Sequence, residues 1–265
     1  MKRILICLFS LIALRAPAQD NSNLQRVELT VDGVAREALV YAPATAKQTA
    51  APLVFTWHGH GGNMRAAARG FAIHRHWPEA ICVYAQGLNT PGRLTDPEGK
   101  KPGWQGGVGA QGDRDLKFFD ALLAKLKADH RVDDQRVYST GHSNGGGFTY
   151  LLWAARGDAF AAVAPSAAAS PQRVDAAKFL KPKPAMHLAG ENDPLVKYEW
   201  QKAAMESVRR INGCEAEGKP WDKGCLIYES STGTPFVSFT HPGGHEFKPE
   251  GPALIVRFFK QHPAK

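Results

Sequence analysis

The 265-residue chain lacks any dense lysine or arginine tract and, after residue 18, any apolar run long enough to span a bilayer. Its basic residues are scattered despite a formal net charge of +8, so nucleic-acid binding has little support. A membrane-spanning helix needs about 20 consecutive apolar residues, so no such helix is expected after residue 18. Internal repeats and low-complexity linkers are also lacking, which predicts a single domain over residues 19–265.

Cysteine is scarce, with four in the whole chain, and no two of them form the C-x-x-C pairs typical of zinc sites. Cys82 lies in the apolar run 81–84 and is predicted to be a buried thiol. Cys214 and Cys225 lie close together in a stretch that contains Gly, Lys and Pro. In an oxidising compartment we expect these two residues to form a disulfide.

The N-terminus has the order of features that directs export. Met1-Lys2-Arg3 is basic, Ile4 to Leu14 is apolar, and Ala16-Pro17-Ala18 supplies small residues at the end. This order predicts a secretory signal peptide over residues 1–18 and a periplasmic or secreted mature protein. The alternative is a buried N-terminal helix, which the Arg and Pro that end the apolar run disfavour.

Turn signals and apolar runs outline alternating strands and helices. Residues 26–31 and 35–41 alternate in polarity and flank Asp32-Gly33, which predicts an antiparallel hairpin. Leu53 to Trp57 is a continuous apolar run, typical of a strand buried on both faces. Further strands are predicted at 81–84, 136–140, 185–188, 226–229 and 236–240, and helices at 113–129, 144–155, 197–211 and 252–261. The alternation predicts an α/β protein with a mostly parallel, doubly wound sheet and an N-terminal antiparallel hairpin.

The pentapeptide Gly141-His142-Ser143-Asn144-Gly145 follows a predicted strand and opens a predicted helix. This is the G-x-S-x-G setting of a nucleophile elbow. The serine must adopt a strained backbone there, and side chains at 141 or 145 would collide with neighbouring backbone. The helix N-terminus also favours developing negative charge. Ser143 is therefore the candidate nucleophile, and a Gly-rich turn without chemistry is the alternative.

A serine nucleophile needs a base, and in this architecture the histidine comes late in the chain. His245 lies in a Gly-rich loop after the last predicted strand, so it is the candidate base, with His241 as the fallback. His187 falls within a predicted strand and is expected in the core. His142 adjoins Ser143 and is expected to point away from it.

Two further groups complete the predicted site. Asp193 follows the strand that ends near residue 189, at the edge where open α/β sheets build sites, and is the candidate orienting acid. Its alternative is a turn aspartate before Pro194. The backbone amides of His60 and Asn144 are the candidate oxyanion donors. His58 and His60, without a nearby acid or thiol, make a poor metal site, so no metal and no cofactor are predicted.

These motifs together resemble secreted polyhydroxybutyrate depolymerase-like and feruloyl-esterase-like α/β-hydrolases. The resemblance spans about residues 27–259 and is carried by the blocks 58–62, 84–87, 133–146, 160–165 and 243–245 and by the Asp193 turn. It implies the α/β-hydrolase fold, the triad of Ser143, Asp193 and His245, the oxyanion roles given above, and the cleavage of esters rather than peptides.

The predicted function is an exported serine esterase that acts through an acyl-enzyme on small or oligomeric carboxylic esters. Feruloyl or acetyl groups on polysaccharide and hydroxyalkanoate oligomers are the candidate substrates. Trp104, in the Gly- and Pro-rich stretch 86–112, is predicted either to stack on a sugar or phenolic ring or to anchor its loop by burying apolar area. A serine peptidase and a catalytically inactive binding protein on the same fold are the alternatives. The sequence does not indicate the oligomeric state.

Overall fold

The computed structural model describes residues 23–169 and 180–264, so the predicted signal peptide lies outside the described residues. The strands are β1 (Leu24–Val31), β2 (Val34–Tyr41), β3 (Ala51–Trp57), β4 (Ile81–Ala85), β5 (Leu88–Asn89), β6 (Pro102–Gly103), β7 (Val132–His142), β8 (Ala162–Ser166), β9 (Ala185–Gly190), β10 (Lys219–Asp222), β11 (Cys225–Tyr228) and β12 (Phe236–His241). The helices are α1 (Met64–Phe71), α2 (Ile73–His76), α3 (Arg114–Asp129), α4 (Asn144–Arg156), α5 (Tyr198–Ile211) and α6 (Gly251–Gln261). Within the described ranges, none of the helices combines the length and the apolar character needed to cross a membrane.

Most of the strands join one large sheet, in the order β1-β2-β4-β3-β7-β8-β9-β12-β11-β10. From β4 to β12 every neighbouring pair is parallel. The hairpin β1–β2 pairs antiparallel with β4 at one edge, and the hairpin β10–β11 pairs antiparallel with β12 at the other. The mostly parallel sheet and the N-terminal hairpin are confirmed. The second antiparallel hairpin is an addition that the sequence pattern did not predict.

Helices cover both faces of the sheet. The apolar side chains of α3, α4 and α5 belong to one core cluster, and those of α1, α2 and α6 belong to a second cluster. Along β3, Leu53, Phe55 and Trp57 join the first cluster, whereas Val54 joins the second. All seven residues of β3 are buried, as predicted for a strand covered on both faces.

The stretch between β4 and α3 folds back over the carboxyl edge of the sheet. Its two short strands, β5 and β6, pair antiparallel. At its tip the carboxylate of Asp96 accepts the amides of Lys100 and Lys101 at 3.2 and 2.8 Å and lies 3.0 Å from Nε2 of His60. The loop is therefore pinned to the turn that follows β3.

The three cysteines of the described residues are free thiols. Cys82 is buried, as predicted. The predicted disulfide between Cys214 and Cys225 is wrong, because the two side chains pack in different layers. Cys214 contacts the cluster formed by α3, α4 and α5, whereas Cys225 belongs to the cluster on the side of α6. Closeness along the chain did not reveal that the sheet lies between them.

Candidate active site

Ser143 occupies the sharp turn between β7 and α4. Its backbone has φ 56° and ψ −121°, and a positive φ is uncommon for a residue other than glycine. A Cβ added to Gly141 would lie 2.4 Å from the carbonyl oxygen of Gly145, and one added to Gly145 would lie 2.2 Å from that of Trp57. Only glycine fits at both positions, so the pentapeptide is explained by the space available at the turn.

Ser143, His245 and Asp193 form one hydrogen-bonded chain. Nε2 of His245 lies 2.8 Å from Oγ of Ser143, and Nδ1 lies 2.7 Å from Oδ2 of Asp193. Because a carboxylate accepts hydrogen bonds, Nδ1 carries the proton and Nε2 is left to accept the serine proton. The side chain of His245 is 17% exposed and that of Asp193 is 0% exposed, so the acid lies beneath the imidazole.

The loops after β9 and β12 bring the acid and the imidazole together, because these strands are neighbours in the sheet. The amide of Asn192 donates to the carbonyl of Gly243 at 3.0 Å. A Cβ added to Gly190 would lie 2.1 Å from the carbonyl oxygen of Gly244. The glycines therefore let the two loops run in contact.

Asp193 is held by more than the imidazole. Its Oδ1 accepts the amides of Leu195 and Val196, each at 2.9 Å, and its Oδ2 accepts the side-chain amide of Gln201 at 3.0 Å. These donors replace the water that the buried carboxylate has lost. Asp193 is therefore both the turn aspartate and the residue that contacts the imidazole of His245.

His142 also contributes to the site, through a contact with the backbone of His245 rather than with Ser143. Its Nε2 lies 3.1 Å from the carbonyl oxygen of His245, and its Nδ1 lies 3.2 Å from Oγ of Ser166. The two imidazole rings are 5.0 Å apart. Burial, and to a smaller extent the nearby His245, lowers the pKa of His142 to about 4. A neutral His142 therefore supports the loop of His245.

The remaining histidines considered from the sequence serve the fold. His187 is fully buried, as predicted, and His241 accepts the amide of Gly243 at 3.1 Å. Nε2 of His58 accepts the amide of Gly87 at 3.0 Å, and burial lowers the pKa of His58. Within residues 23–169 and 180–264, no group of three or more His, Cys, Asp or Glu residues is arranged to hold a metal ion.

The two candidate oxyanion donors border the same cavity as Ser143. His60 and Asn144 both line it. Asn144 is the first residue of α4, so its amide has no acceptor within the helix. The turn that carries His60 passes beside the serine, because a Cβ added to Gly59 would lie 3.5 Å from Cβ of Ser143. The backbone of both residues is therefore near the nucleophile.

The cavity above Ser143 has a volume of about 550 Å³. Phe148 and Val196 form part of its apolar wall. Three large apolar side chains on its lining are exposed, namely Leu94 (55%), Leu195 (41%) and Trp200 (39%). A cluster of large apolar side chains that is exposed to water does not stabilise the fold. Such a cluster at the rim of a cavity is typical of a ligand-binding site.

Trp104 lies in the cavity wall, but its ring belongs to the core. It is 1% exposed, its indole N–H donates to the carbonyl of His58 at 2.9 Å, and its ring stacks on Phe148 with centroids 5.3 Å apart. This matches the loop-anchoring alternative rather than stacking on a substrate. The exposed aromatic ring of the cavity is Trp200 instead.

Comparison with known proteins extends this picture. No family model matches the chain. A probable feruloyl esterase C of Aspergillus clavatus is 30% identical to it over 208 residues, covering 75% of this chain and 71% of that protein. The chain belongs to the feruloyl-esterase-like α/β-hydrolase family. It is therefore a carboxylic ester hydrolase.

Other relatives of this esterase agree with that placement. Feruloyl esterase C of Emericella nidulans is 29% identical over 208 residues, covering 75% of this chain and 72% of that protein. A bifunctional acetylxylan esterase/xylanase of Neocallimastix patriciarum is 27% identical over 191 residues, covering 70% of this chain and 25% of that protein.

Solved structures share the fold of this esterase. A ferulic acid esterase has a TM-score of 0.64 at 16% identity, over 90% of this chain and 97% of that chain. An acetyl xylan esterase from Aspergillus awamori has a TM-score of 0.63 at 11% identity, over 89% of this chain and 99% of that chain. At such identities the likeness establishes the α/β-hydrolase fold alone.

Sequence reasoning missed three side chains of this esterase's site, namely His142, Trp200 and Gln201. A signal for Gln201 was present. The buried face of α5 consists of Gln201, Ala204, Met205 and Val208, which is the i, i+3, i+4, i+7 stripe of a helix packed on a core. A polar side chain on that stripe needs a buried partner. No comparable pattern marks Trp200, because only the folded chain brings it beside Ser143.

Proposed function

We propose that this esterase cleaves its substrate through a covalent acyl-enzyme on Ser143, with His245 as general base and acid and Asp193 as the orienting carboxylate. The observation that carries the proposal is the chain of contacts from Oγ of Ser143 through His245 to Asp193, at 2.8 and 2.7 Å. A hydroxyl is a weak nucleophile until a base takes its proton, and here the base is within hydrogen-bonding distance.

The reaction follows from these positions. Nε2 of His245 takes the proton as Oγ of Ser143 attacks the ester carbonyl carbon, and the carbonyl electrons move to the oxygen. The amides of His60 and Asn144 stabilise that oxyanion. When the intermediate collapses, His245 gives its proton to the leaving alcohol, and the acyl group stays on Ser143. Water then attacks the acyl-enzyme with His245 as base, which releases the acid and restores the serine.

The acyl group that the cavity favours is bulky and aromatic. Leu94, Leu195 and Trp200 present apolar surface at the rim, and a phenolic ring gains more from such contacts than an acetyl group does. Relatives named as feruloyl esterases support the same choice. We therefore propose feruloyl-type esters of polysaccharide as the preferred substrates, ahead of acetyl esters and hydroxyalkanoate oligomers.

Export is also part of the proposal, since the signal-peptide pattern of residues 1–18 and a polysaccharide substrate both call for an enzyme outside the cytosol. Protein recovered from the periplasm or the medium is expected to begin at Gln19. Recovery of a chain that still begins at Met1, from the cytosol alone, would contradict this.

A substrate panel tests the proposed activity. Methyl ferulate, acetylated xylan, hydroxybutyrate oligomers, p-nitrophenyl acetate and a chromogenic peptide are assayed with the wild type, Ser143→Ala and Ser231→Ala. We expect the highest kcat/KM on methyl ferulate, with turnover of all esters lost in Ser143→Ala and retained in Ser231→Ala, whose exposed hydroxyl is on a surface turn. Peptide cleavage without ester cleavage would favour a peptidase, and no turnover at all would favour an inactive binding protein.

A further inference from the structure

Buried polar groups continue the hydrogen-bonded chain beyond Asp193. Nε2 of Gln201, on α5, donates to Oδ2 of Asp193 at 3.0 Å, and Oε1 of Gln201 lies 3.3 Å from Nε2 of His187, on β9. Nδ1 of His187 lies 2.8 Å from the hydroxyl of Tyr150, on α4. Gln201 and His187 are 0% exposed, and Tyr150 is 1% exposed. Side chains from α4, β9 and α5 therefore form one chain of contacts that ends at Oδ2 of Asp193.

The hydrogens of this buried chain can be assigned. Burial lowers the pKa of His187 to about 4, so the ring is neutral at pH 7 and carries one proton. Burial raises the pKa of the Tyr150 hydroxyl, so the hydroxyl keeps its proton. A buried hydroxyl proton needs an acceptor, and Nδ1 of His187, at 2.8 Å, is the acceptor within reach. Nε2 of His187 then carries the ring proton and donates to Oε1 of Gln201. The hydroxyl on α4 thus decides which end of the Gln201 side chain faces His187.

The amide orientation of Gln201 is consequently fixed from both ends. Its nitrogen has two acceptors, Oδ2 of Asp193 at 3.0 Å and the carbonyl of Val196 at 2.7 Å. If the amide were reversed, its oxygen would face these two acceptors, and its nitrogen would face the donor on His187. The reversed amide would leave buried polar atoms unpaired, which is costly in the core.

We propose that Gln201 is a positioning residue that holds Oδ2 of Asp193 in line with Nδ1 of His245, and that His187 and Tyr150 keep its amide in the required orientation. The inference rests on the proposed function, since it assigns the triad roles to these residues. Oδ1 is held separately by the amides of its own turn. Oδ2, which contacts the imidazole, has Gln201 as its second donor. Loss of Gln201 therefore frees the oxygen that orients the base.

The test compares Gln201→Met, which keeps the length of the side chain, with Tyr150→Phe, which removes one hydroxyl, and with the control Lys202→Ala. Lys202 is exposed on the same helix. Displacement of reacting groups by a fraction of an ångström to 1 Å costs up to about 100-fold in rate. We expect kcat on methyl ferulate to fall about 10- to 100-fold in Gln201→Met and about 3- to 10-fold in Tyr150→Phe, with KM within about twofold.

A spectroscopic readout separates positioning from a structural role. The far-downfield proton resonance of Nδ1–H of His245, which reports the bond to Asp193, is expected to shift or broaden in Gln201→Met and to remain in Lys202→Ala. A folded Gln201→Met enzyme with unchanged kcat and resonance would overturn the inference. If Gln201→Met does not fold, unchanged kcat and resonance in folded Tyr150→Phe would overturn it.

Assaying Ser143→Ala alongside distinguishes a failure of the proposed function from a failure of the positioning role of Gln201. A wild type without esterase turnover, or a Ser143→Ala variant with full turnover, would refute the proposed function. An active wild type that is silenced by Ser143→Ala, together with unaffected Gln201 and Tyr150 variants, would refute only the positioning role.

Discussion

Nε2 of His142 lies 3.1 Å from the backbone carbonyl oxygen of His245, so the residue just before the proposed nucleophile supports the proposed base. Because a carbonyl accepts, His142 carries its proton on Nε2, and its Nδ1 accepts the hydroxyl of Ser166 at 3.2 Å. This neutral form adds no positive charge beside His245, where a charged neighbour would oppose proton transfer to Nε2.

His142→Ala is expected to lower kcat about fivefold, because one hydrogen bond to the loop of His245 is worth roughly 1 kcal/mol and its loss loosens the base. His142→Gln keeps an N–H donor and is expected to recover part of that loss. Steady-state kinetics on methyl ferulate measure both effects. Equal kcat in His142→Ala and the wild type would show that this contact does not position the base.

The two tryptophans of the cavity are expected to respond in opposite ways. Trp200→Ala removes an exposed ring from the rim and should raise KM for methyl ferulate about 3- to 10-fold with unchanged stability, since an aromatic pair contributes about 0.5–1.5 kcal/mol. Trp104→Ala empties a core position and should lower the free energy of unfolding by about 3–5 kcal/mol. Urea denaturation measures the free energy of unfolding of both variants, and steady-state kinetics on methyl ferulate measure their KM. A stable Trp104→Ala variant with raised KM would reverse these assignments.

The sequence predicted the parts of the fold that follow local rules. Apolar runs and turn signals predicted the N-terminal hairpin and the parallel strands other than β8, because strand period and glycine turns act over a few residues. Ser143 was selected as the candidate nucleophile because such an elbow excludes side chains at Gly141 and Gly145, a constraint that is visible in the pentapeptide itself. Asp193 and His245 were selected because loops after parallel strands meet at one edge of the sheet.

Features that depend on packing between distant segments could not be predicted from local sequence patterns. Trp104 reads as a loop residue in the sequence, but it fills a gap against Phe148 that only the folded chain creates. Cys214 and Cys225 are near in sequence and lie in different layers. Leu94 and Trp200 meet at one cavity rim although about a hundred residues separate them. Such contacts are long-range, and no local pattern reports them.

Free thiols at Cys214 and Cys225 can be counted chemically. Alkylation of the denatured protein without reductant should label both residues and Cys82, with the same mass increase as in a reduced sample. Intact-mass spectrometry of exported material makes the comparison. Labelling of Cys214 and Cys225 only after reduction would establish a bond between them and contradict the packing described above.

Acid is expected to destabilise the fold through His187. Burial lowers the pKa of His187 from 6.5 to about 4 in the folded state, so the unfolded chain binds more protons between these values. The stability contributed by the neutral ring is complete above pH 6.5 and decreases as pH falls toward 4, by up to about 3 kcal/mol. Urea unfolding at pH 7.5 and 4.5 measures this, and His187→Gln should lose less stability over that interval. Identical pH dependence in both proteins would remove His187 as the cause.

The most direct test of the central claim is reaction of the enzyme with diethyl p-nitrophenyl phosphate, followed by peptide mass mapping. An activated serine displaces p-nitrophenolate and keeps the diethylphosphoryl group on its oxygen. We expect one equivalent of p-nitrophenolate, one label on Ser143 and complete loss of esterase turnover, with labelling at least about 100-fold slower in His245→Ala. A label on another residue with Ser143 unmodified, or an undiminished labelling rate in His245→Ala, would contradict activation of Ser143 by His245.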